Sequence, residues 1–229
     1  METPFERNVP AVSQAEQLLL SRKKVLVIGC GGLGGYMIEY LTRLGIGDIT
    51  AVDGDVFETS NLNRQLNSTP ALIGSSKAAA AAERVKTISP GTCITPVQAF
   101  FDETNAEELI QDQDLVIDAL DNLSSRFLME DVCEKQRVPF VHGAILGWSM
   151  QITTGLPGKR VLHKIYGTSQ EQSRIDASCK TSLAMTPAAC AAIQAAEALK
   201  LLTGHEPSLS GRLLIFNLKT MEQLMIPVE

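Results

Sequence analysis

The apolar run Lys24-Val25-Leu26-Val27-Ile28 stops at Gly29-Cys30-Gly31-Gly32-Leu33-Gly34, after which Met37, Ile38, Leu41 and Leu44 recur at helical spacing. A buried strand, a glycine turn and an amphipathic helix, in that order, open a βαβ unit. The glycines allow a tight turn and let backbone approach a phosphate. The helix behind them presents unpaired N–H groups and a partial positive charge. A second run, 48–52, ends at Asp53. A carboxylate about 20 residues past the glycines can accept hydrogen bonds from both ribose hydroxyls. These residues predict a nucleotide site, and they leave open whether the ligand is a dinucleotide or ATP.

The rest of the chain extends the same pattern. Ser13 and Glu16 form a capping box for a helix through Leu20. Ser75 and Ser76 can cap a helix to Ile88, which Pro90 closes; strands are expected over 92–98, 115–119 and 140–144, with helices over 102–111 and from Asp121 to Arg137. The pattern then changes. Segments 150–155, 213–217 and 222–227 read as antiparallel strands, and an alanine-rich helix starts at Thr186-Pro187 and ends at Gly204. The expectation is an α/β fold: a Rossmann-like mixed sheet with a parallel N-terminal half and antiparallel C-terminal strands. The stretch 157–182 is long, polar and weakly patterned, as functional loops often are.

Composition narrows the function. With 229 residues the chain suits one large domain, and a net charge of -6 argues against broad contact with nucleic acid or a membrane surface. The most apolar helical stretch, 184–202, carries Pro187, Gln194, Glu197 and Lys200, so no membrane span is expected, and 1–10 lacks the apolar run of a secretory signal. The five cysteines contain no C-x-x-C pair and are irregularly spaced, which predicts no disulfide framework and a cytoplasmic protein.

Residues near the expected strand ends bear on the nucleotide. Asn61-Leu62-Asn63-Arg64-Gln65 follows Asp53, Lys77 opens the next helix, and Asp121-Asn122 follows the 115–119 strand. Arg64 can fork two phosphate oxygens and Lys77 adds a compact charge, a pairing that suits a triphosphate. Asp121 offers a hard oxygen for Mg²⁺. The plainer reading makes Arg64 and Lys77 solvated charges and Asp121 a helix cap.

The runs GCGGLGG, VDGDVFETSNLNRQ, GSSK and DALDN resemble the adenylation core of the MoeB/ThiF/HesA family, and the resemblance covers most of the chain. It implies one ThiF-type adenylation domain over 1–229, with an N-terminal arm and helix over 1–22 and a crossover loop over 156–183. It implies an enzyme that binds ATP and Mg²⁺ and adenylates the C-terminal glycine carboxylate of a ubiquitin-like sulfur carrier of the ThiS or MoaD type, ending in Gly-Gly. The ATP site would use Gly29, Gly31, Gly32 and Gly34 with Asp53, Asp55, Asn61, Arg64, Gln65 and Lys77; Asp121 would hold Mg²⁺. Arg7, in Phe5-Glu6-Arg7-Asn8, resembles the family's N-terminal arginine, which reaches the partner's ATP site and so implies a homodimer. Cys179, followed by Lys180, resembles the crossover-loop cysteine of ThiF, although adenylation alone does not need it.

The chain also departs from the family. Many members carry two C-x-x-C pairs for zinc; neither occurs here, so no zinc is expected. The short end at Ile226-Pro227-Val228-Glu229 has no rhodanese-like extension, so a separate sulfur donor is expected. Cys30 reads as packing in the glycine loop, and Cys93, Cys133 and Cys190 as core. His142 reads as a packed, hydrogen-bonded residue, His163 and His205 as surface, and Trp148 as a groove or core residue at a sheet turn. A non-catalytic binding module is a further reading, against which the complete phosphate set argues, and two others remain open on the residues alone. An NAD(P)-dependent oxidoreductase would account for the glycines and Asp53 but not for Asn61, Arg64, Lys77 and Asp121. Adenylation of another carboxylate or of a tRNA base would account for all of them.

Overall fold

The computed structural model describes residues 4–167 and 181–228. A capping box opens α1 (Gln14–Leu20): Glu16 N–H donates to Ser13 Oγ at 3.2 Å, and Ser13 N–H donates to the Glu16 carboxylate at 2.7 Å. Strand β1 (Lys24–Ile28) is buried after its first residue and feeds α2 (Gly32–Leu44), which Gly45 ends in the left-handed region at φ 84°. Then come β2 (Asp48–Val52), α3 (Lys77–Ile88), β3 (Cys93–Val97), α4 (Ala106–Ile110), β4 (Leu115–Asp118) and α5 (Leu123–Gln136). The remaining elements are β5 (Phe140–Leu146), β6 (Ser149–Gly155), α6 (Leu162–Tyr166), α7 (Met185–Thr203), β7 (Arg212–Asn217) and β8 (Glu222–Pro227).

The eight strands lie in the order β3-β2-β1-β4-β5-β6-β7-β8. Pairing is parallel from β3 to β5 and antiparallel from β5 to β8, the mixed sheet expected from the sequence. Successive residues of β1 serve opposite faces. Val25 and Val27 pack with Met37, Ile38, Leu41 and Ala195, whereas Leu26 and Ile28 pack with Met129, Val132 and Leu162. A sheet covered on both faces needs such continuously apolar strands. Strand order reverses between β1 and β4, and open α/β sheets bind ligands at that reversal, beyond the carboxyl ends of the strands. No helix among the described residues is long and apolar enough to cross a membrane.

Four local expectations need correction. The helix expected over 102–111 starts only at Ala106, because Asp102 Oδ1 accepts the Thr104 N–H at 2.9 Å and holds a turn there. Cys93 is exposed rather than core, since β3 is an edge strand. The polar stretch 157–182 contains α6. Its N-terminus is held by the buried Glu130 carboxylate, which accepts the N–H groups of Val161, Leu162 and His163 at 2.6, 2.8 and 3.0 Å. His163 is half-buried against that same carboxylate, not simply on the surface.

Candidate active site

A cleft of about 710 Å³ opens over the carboxyl ends of the parallel strands. The glycine loop forms its floor. Gly29 takes φ 97°, and a Cβ on Gly34 would lie 1.7 Å from the Gly29 carbonyl oxygen, so neither position admits a side chain. At the next strand end, Asp53 accepts the Cys30 N–H on Oδ2 at 2.7 Å and the Asp55 N–H on Oδ1 at 2.8 Å. Burial raises its carboxyl above the usual aspartate range even so.

The cations sit along one side. Lys77 is the first residue of α3; it is buried and pairs with Asp55 at 2.9 Å. Arg64 lays its alkyl stem against Gly32 and donates to the Ser60 carbonyl and to Asn63 Oδ1, both at 2.8 Å. Gln65 is buried beside Gly31, and its Oε1 has no hydrogen-bond partner among the described residues. All three line the cleft with Gly29, Gly31, Gly32, Asp53 and Asp55. Asn61 does not line it. Its Oδ1 accepts the Glu58 N–H at 3.0 Å and fixes the turn that presents Arg64 and Gln65.

Asp121 lines the cleft from the loop between β4 and α5. The helix cap is its neighbour: Asn122 Oδ1 accepts the Ser125 N–H at 2.9 Å. Behind the loop lies a buried polar group. Asp118 Oδ1 accepts the Leu120 N–H at 2.9 Å, while Oδ2 lies 2.6 Å from His142 Nδ1 and 3.4 Å from Arg126 Nε. Burial opposes the Asp118 charge, but Arg126 and His142 outweigh it and hold the carboxyl below its usual range. Burial lowers His142, so the pair is an aspartate anion and a neutral imidazole. The imidazole then donates from Nδ1 to Asp118 and accepts the Tyr166 O–H on Nε2 at 3.0 Å. Gln151 donates to the same phenol. Burial pushes Tyr166 up to about 12. Arg126 also donates to the carbonyls of Leu120 and Gly143, which ties the Asp121 loop to β5.

Arg126, Gln151 and Tyr166 all line the cleft, and sequence reasoning missed them. The available signal for Arg126 is its place one helical turn after the capping residue Asn122, on the stretch of α5 that also carries the buried Met129 and Glu130. A lone arginine there reads as a surface charge. Beyond these residues the cleft continues along Gly143–Leu146, Ser149–Gln151 and Thr181-Ser182. Trp148 is exposed at the β5–β6 turn and does not line it. Arg7 lies elsewhere: its turn adjoins Phe5, which packs at Gly45, the end of α2 remote from the glycine loop. Cys179 lies outside the described residues.

Fold and site together define a nucleotide-binding α/β domain with its ligand cleft at the strand-order reversal. The chain belongs to the ThiF family, whose model matches residues 5–229. It is 38% identical over 213 residues to the SAMP-activating enzyme E1 of Haloferax volcanii, covering 92% of this chain and 78% of that one. It is 32% identical over 213 residues to the molybdopterin-synthase adenylyltransferase of Escherichia coli, covering 90% of this chain and 83% of that one. The structure of Escherichia coli MccB with ATP superposes with a TM-score of 0.87 over 100% of this chain and 71% of that one; at 17% identity this is a likeness of fold.

Proposed function

We propose that this protein binds ATP with Mg²⁺ and adenylates the C-terminal glycine carboxylate of a ubiquitin-like sulfur carrier, releasing pyrophosphate. One observation carries the reading: Gly31, Asp53, Arg64, Gln65, Lys77 and Asp121, from separate stretches of sequence, line a single cleft. Membership of a family whose relatives include a SAMP-activating enzyme and a molybdopterin-synthase adenylyltransferase supports it. Asp53 accepts the ribose hydroxyls, and the glycine loop offers backbone N–H groups to the phosphates. Lys77 and Arg64 place positive charge where pyrophosphate leaves.

The residues present also suit Mg²⁺. Among the described residues no three His, Cys, Asp or Glu side chains gather as a metal cage. Mg²⁺ is commonly held by one or two carboxylates plus substrate phosphates, and Asp121 supplies such a carboxylate. When bound, the ion would neutralise charge on the phosphate oxygens. The extension of the cleft along Gly143–Leu146 and Ser149–Gln151 supports entry of the carrier carboxylate from that side. Its oxygen bonds to the α-phosphorus as the bond to the β-phosphate oxygen breaks, so no side-chain nucleophile is needed. Catalysis is then positioning and charge neutralisation.

The proposal includes a cytoplasmic homodimer. The cleft lies at the start of α2 and Arg7 near its far end, a separation of about 20 Å for a helix of this length. That separation supports a role for Arg7 in the cleft of a second copy rather than its own. The test is exchange of labelled pyrophosphate into ATP in the presence of a carrier ending in Gly-Gly. Carrier-stimulated exchange is expected; tight ATP binding without exchange for any carrier would refute the reaction.

A further inference from the structure

Phe100 is 67% exposed, the equal of any large apolar residue among those described, yet it forms part of the cleft wall. Its position is fixed on three sides. Gly54, the residue after Asp53, has no side chain, and a Cβ there would come within 2.7 Å of Phe100 Cγ and 2.8 Å of both Cδ atoms. The ring thus fills the place a side chain at 54 would occupy. Asn105 Nδ2 donates to the Phe100 carbonyl at 2.7 Å, and the Asp102 N–H donates to Asn105 Oδ1 at 3.1 Å, so the loop after β3 is tied down. The next residue, Phe101, is buried in the core between β1 and α5. An aromatic ring is therefore seated beside the ribose acid, largely exposed and part of the cleft lining.

The surroundings indicate what covers it. Val52, Ala99, Leu120 and Leu123 also line the cleft, Arg64 packs at Gly32 of the glycine loop, and Lys77 pairs with Asp55. In strand order Phe100 follows β3, Asp53 follows β2, the glycine loop follows β1 and Leu120 follows β4. A nucleotide with its ribose on Asp53 and its phosphates on the glycine loop therefore runs toward β3 and leaves its base on the Phe100 side. Flat bases gain affinity by stacking on aromatic rings.

We infer that Phe100, seated by Gly54, is the stacking platform for the nucleotide base and sets the affinity of the site for ATP. The inference rests on the nucleotide-binding part of the proposed function. The test compares ATP with ribose 5-triphosphate, which lacks the base, by calorimetry on the wild type, Phe100→Ala and Phe100→Tyr. Phe100→Ala should bind ATP roughly tenfold or more weakly, as loss of a base-stacking aromatic does, and should bind ribose 5-triphosphate as the wild type does. Phe100→Tyr, which keeps the ring, should retain ATP affinity. Pyrophosphate exchange by Phe100→Ala should show a raised KM for ATP and an unchanged kcat. Equal ATP binding by Phe100→Ala, or equal weakening of both ligands, would overturn the role of Phe100. A wild type that binds no ATP would overturn this inference and the proposed function together, whereas ATP binding without exchange falls on the proposed reaction alone.

Discussion

The Cys30 backbone N–H donates to Asp53 Oδ2 at 2.7 Å, which joins the glycine loop and the ribose-side carboxylate into one unit. Substituting the acid should therefore disturb both phosphate and ribose contacts. Asp53→Asn should weaken ATP binding roughly tenfold or more, the usual scale for losing a charged hydrogen-bond acceptor. The pH dependence has a definite sign. Burial raises the folded-state pKa of Asp53, so the anion is lost as pH falls through a value above the usual aspartate range. ATP affinity of the wild type should decline on acidification through that window, and Asp53→Asn should flatten the decline. Calorimetric titrations across pH test both; parallel profiles would contradict the assignment.

Asp118 should matter to stability more than to contact with ligand. It is fully buried and answers Arg126, His142 and the Leu120 N–H. Asp118→Ala would leave Arg126 buried without its anion, at a cost of about 3–5 kcal/mol. Its folded-state pKa is depressed, so its stabilisation is present above the unfolded pKa and is lost as pH falls through the folded one. Denaturant unfolding of wild type and variant at neutral pH measures the difference, which should shrink in acid. A loss under about 1 kcal/mol at neutral pH, well below the usual cost of orphaning a buried charge, would contradict the account.

Asp121→Ala should behave in the opposite way. Asn122, not Asp121, caps α5, so the helix keeps its start. Pyrophosphate exchange by the folded variant should fall by orders of magnitude, since loss of a metal-holding carboxylate typically removes several kcal/mol of transition-state stabilisation. Near-normal exchange by the folded variant would remove Asp121 from the chemistry.

Local signals make the parallel half legible from the amino acids alone. The capping box at Ser13, the glycine stop at Gly45 and the continuous apolar strands predict their elements closely, and the glycine loop with Asp53 locates the cleft. What sequence conceals is tertiary. Glu130 holds α6 from a distant helix, so the polar stretch after Pro157 gives no helical signal of its own. Arg126 looks like a solvated charge until its partner Asp118 is seen to be buried beneath it. Cys93 looks like core until β3 proves to be the edge of the sheet. Phe100 looks like an ordinary apolar residue of a loop until Gly54 is found beneath its ring.

The proposed dimer makes its own prediction. Arg7→Ala and Asp121→Ala chains, each inactive alone, should regain partial exchange activity when mixed. In a mixed dimer the site on the Arg7→Ala chain keeps its own Asp121 and receives Arg7 from its partner. Activity measured against the mixing ratio, with sedimentation to establish the dimer, checks this. A monomer at micromolar concentration, or no recovery on mixing, would exclude action in trans.

The most direct test of the central claim is mass spectrometry of a Gly-Gly-ended carrier after incubation with the protein, ATP and Mg²⁺, with pyrophosphatase present to draw the reaction forward. A carrier bearing AMP on its terminal glycine carboxylate is expected, and it should be absent when ATP is omitted or when Asp121→Ala replaces the wild type. An unmodified carrier, with ATP bound to the protein and the carrier shown to bind it, would contradict the claim.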